Sequence, residues 1–272
     1  MITARQQFAK IDSGPAAAGP LVELPPAAPL SPSQVNKYLA CPAAWYFRYE
    51  LRLPDPPTGA LALGSAVHDA LALALKARIA GHSVALDEVL HAFALALVHH
   101  LAAAELRADE DAGQLALDGR ALLQLYYGQV LHTLQPAHVE LPITGEIAGV
   151  PVRAIVDLID TAGQVFDLKT AAKRPAGITP RHALQLTTYA MLTGARTCHL
   201  HTLVRTKTPQ FVPLTLDVTP EDRRYAETMY PLVADAIATR IYPPRRDNNL
   251  CSRRHCAFWR ACQAEYGGVV PE

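Results

Sequence analysis

The spacing of apolar positions changes near residue 140, and that change divides the chain into a helical and a sheet-forming part. From 65 to 134 alanine and leucine dominate, and Leu71 with Leu75, Leu90 with Phe93 and Leu97, and Leu122 with Leu125 recur at helical spacing. Three or four helices are predicted there. Beyond residue 140, runs rich in β-branched residues predict strands over 139–143, 150–159, 165–168, 198–205 and 211–216, interrupted by one helix over 179–193. A further helix over about 220–241 leads into a cysteine-rich tail. Upstream, Ser31 is a candidate N-cap and Pro32 occupies the first helical position. The pattern is that of an α/β chain, a central mixed sheet flanked by helices.

Composition narrows this picture. A chain of 272 residues can bury a sizeable core. Lysine plus arginine equals aspartate plus glutamate at 25 each, so affinity for nucleic acid must come from local patches. One patch holds six arginines, at 240, 245, 246, 253, 254 and 260, against the single acid Asp247, and it reads either as a solvated face or as a DNA-facing one. No continuous apolar run reaches the roughly 20 residues needed to cross a bilayer, which predicts a soluble, cytoplasmic protein without a membrane partner. Residues 1–30 are rich in alanine and proline, lack the apolar core of a secretory signal, and read as a flexible leader. Five cysteines, an odd and clustered set, suit metal or cluster ligation in a reducing cytoplasm better than disulfides.

The candidate chemistry lies in the sheet-forming part. Thr161-Ala162-Gly163 predicts a three-residue hairpin loop with the glycine in a left-handed conformation. Folding about Ala162 sets Asp157 opposite Asp167, at the ~5 Å of cross-strand neighbours. Side chains alternate along a strand, so Lys169 emerges on the face of Asp167; a bulge at Gly163 would shift the register by one. Both carboxylates sit in apolar runs, where a charge is costly unless paired or bound to metal, and their like charges repel. A divalent cation offsets both costs. A metal site for phosphodiester hydrolysis is therefore weighed above a solvated hairpin face.

Other residues carry weaker signals. Gln185 and Tyr189 are four apart on a predicted helix and share a face, which by itself is an ordinary polar stripe. Glu140, on a predicted strand, is a candidate to orient water or metal. Trp45, Tyr46, Phe47 and Tyr49 read as a hydrophobic shell around the cysteines, or else as a platform for stacking bases. Cys198, in an apolar strand, reads as a plain buried thiol, and His82, His91, His99 and His100 as histidines without chemistry.

Ile155-Val156-Asp157, Asp167-Leu168-Lys169-Thr170 and Gln185-Leu186-Thr187-Thr188-Tyr189 together resemble the core motifs of the PD-(D/E)XK nucleases, in their RecB-like branch. The upstream histidine motif of that branch is matched by Gly64-Ser65-Ala66-Val67-His68-Asp69-Ala70-Leu71. Cys41, Cys251, Cys256 and Cys262 fit the order of its iron–sulfur subset. The resemblance runs from about Ser31 to Tyr266. It departs in the C-x4-C-x5-C spacing of the last three cysteines, where relatives usually have C-x2-C-x5-C, and in Arg153-Ala154, where a glycine is common.

The resemblance implies a restriction-endonuclease-like core. It divides one nuclease domain, 31–272, into a helical lobe (65–135), a catalytic core (138–218) and a cluster lobe made of Cys41 with 245–266. It implies one or two Mg2+ or Mn2+ ions held by His68, Asp157, Asp167 and the backbone carbonyl of Leu168. Lys169 would position the attacking water, with Gln185 and Tyr189 in support. The four cysteines would hold a [4Fe-4S] cluster; the alternative is a structural zinc, with His255 able to replace a cysteine, although the short C-x2-C knuckles zinc favours are missing. The implied substrate is DNA, cut at single-stranded ends by exonuclease or flap-type cleavage, with a helicase or a recombination or defence complex as partner. Two other readings remain: a non-catalytic DNA-binding module of such a complex, and a nuclease that trims DNA for CRISPR spacer acquisition.

Overall fold

The computed structural model describes residues 28–248 and 250–272. The segment read as a leader lies outside them except for 28–30. The last of these, Leu30, is buried and forms a parallel bridge with Val152, its N–H donating to the Pro151 carbonyl.

Helix α1 (Pro32–Ala40) begins with a reciprocal cap: Ser31 Oγ accepts from the Gln34 N–H, and the Gln34 side chain accepts from the Ser31 N–H. Cys41 separates α1 from α2 (Pro42–Tyr49), because Pro42 lacks an N–H and its fixed φ starts a new helix instead. Three helices fill the alanine- and leucine-rich region: α3 (Gly59–Ile79), α4 (Leu86–Ala102) and α5 (Ala112–Gln129). They interdigitate through Leu63, Leu71, Phe93 and Leu122. By length and composition alone α3 could cross a membrane, but Ser65, His68, Asp69 and Lys76 interrupt its apolar run and half of its apolar window is buried inside the fold.

The sheet has five strands in chain order, β1 (Pro136–Ile147), β2 (Val150–Asp160), β3 (Val165–Ala171), β4 (Thr197–Val204) and β5 (Gln210–Asp217). All neighbours are antiparallel except β3 and β4, which run parallel. A parallel pair needs a crossover, supplied here by α6 (Pro180–Thr193), N-capped by Thr179. The β1–β2 hairpin turns through Ala148 and Gly149, both at positive φ, as a two-residue loop requires.

Helices α3 to α5 cover one face of the sheet through Leu158, Leu168 and Leu203. Helix α6 covers the other through Val156, Val165 and Leu200. Helix α7 (Pro220–Ala238) is shorter than expected, since the chain turns left-handed at Arg240; with α1 it closes over Ile147, Val150 and Val152. The tail then returns across the first two helices. Asn248 Nδ2 donates to the Ala40 carbonyl (2.8 Å), Arg245 Nη1 to that of Leu39 (3.0 Å), and the Tyr38 hydroxyl to that of Ile241. A last helix, α8 (Trp259–Tyr266), which the sequence reading did not anticipate, packs Phe258 and Cys262 against Ala43 and Phe47.

Candidate active site

Strands β2 and β3 pair only at Leu158 with Phe166 and Ile159 with Val165, and then diverge. Continued, that register sets Asp157 across from Asp167; Gly163 is left-handed at φ +76 and causes no shift. The loop is one residue longer than expected, spanning 161–164, because Asp160 Oδ1 accepts the N–H groups of both Ala162 and Gln164 and so replaces a ladder bond. Where the strands part, Asp157 Oδ2 accepts the backbone N–H of Leu168 at 2.9 Å. The same oxygen lies 3.6 Å from His68 Nδ1, which α3 carries to the split.

Asp167 is only 1% exposed. Lys169 Nζ sits 2.6 Å from its Oδ2, and Gln185 Nε2 donates to its Oδ1 at 3.1 Å. Gln185 Nε2 also donates to the Tyr189 hydroxyl (2.7 Å). Gln185 thus holds the Asp167 carboxylate. Burial pushes the Asp167 carboxyl above the usual carboxylate range, the Lys169 ammonium pulls it down, and the Asp157 charge pushes it up again.

Two residues join this group without a strong sequence signal. His182, one turn before Gln185, is held below the usual imidazole range by burial and by the Lys169 charge. Its three-residue spacing from Gln185 is the only hint in the sequence. Glu140 stands opposite Asp157, between the pairs Val139–Leu158 and Leu141–Val156, with its backbone left-handed at φ +52 and its carboxylate paired with Lys76. A non-glycine residue at such a φ is strained, and strain of this kind gathers at functional sites.

His68, Glu140, Asp157, Asp167 and Leu168 line one pocket of about 30 Å³, room for a water or an ion. Two carboxylates and an imidazole are donors that suit Mg2+ or Mn2+, so the residues fit such an ion in type. As the side chains stand, with the Asp167 oxygens taken by Lys169 and Gln185, no three His, Cys, Asp or Glu among the described residues are grouped to hold a metal.

The second candidate set lies where the tail meets the first two helices. Cys41, Cys256 and Cys262 share one apolar cluster with Phe47 and Phe258. The thiols of Cys251, Cys256 and Cys262 are raised chiefly by burial, and the charge of Cys41 raises each of them further, which puts all four cysteines in one neighbourhood. Two sulfurs already accept hydrogen bonds, Cys41 from the Arg245 N–H (3.5 Å) and Cys262 from Arg246 Nη2 (3.7 Å).

The aromatic patch divides. Tyr46 and Phe47 pack at the cysteines, whereas Trp45 and Tyr49 join the α1–α7 core. Cys198 is fully buried, and burial pushes its thiol up to about 12. The arginine patch is largely engaged: Arg254 pairs with Asp109, Arg253 with Glu272 and Arg245 with Asp247, and Arg246 donates to the carbonyls of Val269 and Gly267.

Comparison with known proteins gives this geometry a family. A solved structure from Eubacterium rectale, described as a candidate exonuclease, superposes with a TM-score of 0.57 at 14% identity over 90% of each chain. The structure of SSO0001 gives a TM-score of 0.45 at 14% identity, over 90% of this chain and 91% of that one. Curated proteins yield no match. The first likeness shows a shared α/β fold, consistent with a restriction-endonuclease-like core. The family model of the PD-(D/E)XK nuclease superfamily matches residues 29–263, and with that span the chain belongs to the PD-(D/E)XK nuclease superfamily.

Proposed function

We propose that this protein is a Mg2+- or Mn2+-dependent DNA nuclease of the RecB-like branch, acting on single-stranded ends as an exonuclease or flap-type enzyme. The observation that carries the reading is the chain Lys169–Asp167–Gln185–Tyr189 beside Asp157 and His68 at the parting of β2 and β3. When bound by His68, Asp157, Asp167 and the Leu168 carbonyl, the ion supplies acidified water and neutralises charge on the scissile phosphate. Lys169 places a cation where negative charge grows in the transition state and orients the attacking water. Gln185 fixes one Asp167 oxygen, so the carboxylate does not rotate. The Leu168 N–H does the same for Asp157. The four cysteines hold a [4Fe-4S] cluster that ties the tail to the first helices, a reading supported by their shared neighbourhood and by the N–H groups aimed at two of the sulfurs.

Cleavage of labelled single-stranded DNA in Mg2+ and Mn2+ tests the activity, and calorimetric titration with Mn2+ tests the ligands. Wild-type protein should shorten the strand, and His68→Ala should bind Mn2+ about 10- to 100-fold more weakly while keeping its fold. Intact strands in both metals would favour a DNA-binding module instead, and unchanged Mn2+ affinity would remove His68 from the site.

A further inference from the structure

A second cavity, of about 520 Å³, opens beside the candidate active site and shares two walls with it, Phe166 and His201. It lies between the C-terminal end of α5, the 161–164 loop and the faces of β3 to β5. Its size is that of small-ligand pockets.

The lining specifies the ligand. No lysine or arginine contributes to the wall, so a phosphate would find no cation there. The one carboxylate, Asp160, has its Oδ1 taken by the N–H groups of Ala162 and Gln164. The imidazole of His201 is engaged by the Tyr126 hydroxyl (2.8 Å) and that of His199 by Thr215 Oγ1 (3.2 Å) and Gln164 Oε1 (2.9 Å). What remains is π surface and amide chemistry. Phe166 stacks on His199 with ring centroids 4.5 Å apart, and Phe211 meets His201 edge-on at 4.9 Å. Gln129 adds a carboxamide that can both donate and accept, and Gln164, whose Oε1 is engaged by His199 Nε2, adds its amide N–H groups. A flat, neutral, hydrogen-bonding ring suits this wall, and in a strand whose backbone crosses Asp157 and Asp167 that ring is a nucleobase.

We propose that this cavity receives one unstacked base of the substrate strand, a short distance from the scissile phosphate, and so favours single strands over duplex. The proposal rests on the nuclease reading of the adjoining pocket. Its test scans a single abasic position along a labelled single strand and measures affinity by anisotropy in Ca2+, without requiring turnover; cleavage in Mg2+ is measured separately. An abasic residue at one position should weaken binding about five- to hundred-fold, the range of a lost base–aromatic stack. Ala162→Trp and Gln129→Trp, at exposed wall positions, should weaken binding of the complete strand by a similar factor and flatten the scan. A flat scan with wild-type protein, or a scan that both variants leave unaltered, overturns the proposal. A position-dependent scan with no cleavage overturns the nuclease reading and keeps the base site; cleavage with a flat scan does the reverse.

Discussion

Lys169 Nζ and Asp167 Oδ2 are 2.6 Å apart, with the carboxylate almost wholly buried and the lysine side chain still 30% exposed. The lysine is therefore the member of the pair that water and substrate can reach. Lys169→Ala should lower the cleavage rate by on the order of a hundred- to a thousandfold, the cost of losing one donor to developing charge. Gln185→Ala, which frees Asp167 to rotate, should cost about 10- to 100-fold, and Tyr189→Phe less than either. Single-turnover assays rank the three, and equal rates for Lys169→Ala and wild type would remove the lysine from the chemistry.

The fold and the site were legible in the sequence to different depths. The hairpin register could be read because Ala162 lies midway between Asp157 and Asp167, and the face of Lys169 followed from strand alternation alone. All five strands appear where β-branched runs foretold them, although β1 extends from Pro136 to Ile147 on both sides of the expected span. What escaped depends on tertiary contacts. Glu140 adopts its left-handed backbone only where β1 bends opposite Asp157, and nothing in His138-Val139-Glu140-Leu141 signals it. Gln185 and Tyr189 could be placed on one helix face, but the Asp167 oxygen that Gln185 meets was not legible, since spacing reveals which residues share a face and not which atom lies opposite.

The buried imidazole of His201 predicts acid sensitivity. Burial lowers it from 6.5 to about 4, so the unfolded chain binds a proton that the folded one refuses across that window. Stability falls as pH drops from about 6.5 towards 4, by roughly 3 kcal/mol from this group at about 1.36 kcal/mol per unit. Urea unfolding of wild type and His201→Gln at pH 7 and pH 4.5 measures the difference, and the variant should lose less stability on acidification.

Helix α5 offers an internally controlled packing test. A Cβ at Gly119 would fall 2.1 Å from Phe93 Cζ and 2.7 Å from Leu63 Cδ1, inside a dense core, whereas one at Gly128 meets nothing within 4 Å. Gly119→Ala should cost about 1–3 kcal/mol through overpacking. Gly128→Ala should gain about 0.5–1 kcal/mol from helix propensity. Thermal unfolding of both variants should therefore move in opposite directions.

The cluster reading makes a visible prediction. Protein purified without oxygen should be brown and carry about four irons per chain. Cys262→Ser should lose iron and melt earlier, while Cys198→Ser keeps its iron. A colourless chain with one zinc would select the structural-zinc alternative, and full iron in Cys251→Ser would show that the x4 spacing has moved the fourth ligand.

The bonds from Leu39, Ala40 and Cys41 to residues 245 and 248 span more than two hundred positions. On the ribosome, where chains grow at about 5–20 residues per second, the first two helices emerge roughly ten to forty seconds before the tail that covers them. Over that interval Phe47 and Cys41 have no partners from α8. The nascent chain is then open to hydrophobic capture and thiol oxidation, and its first-made segment is among the last to reach its native packing.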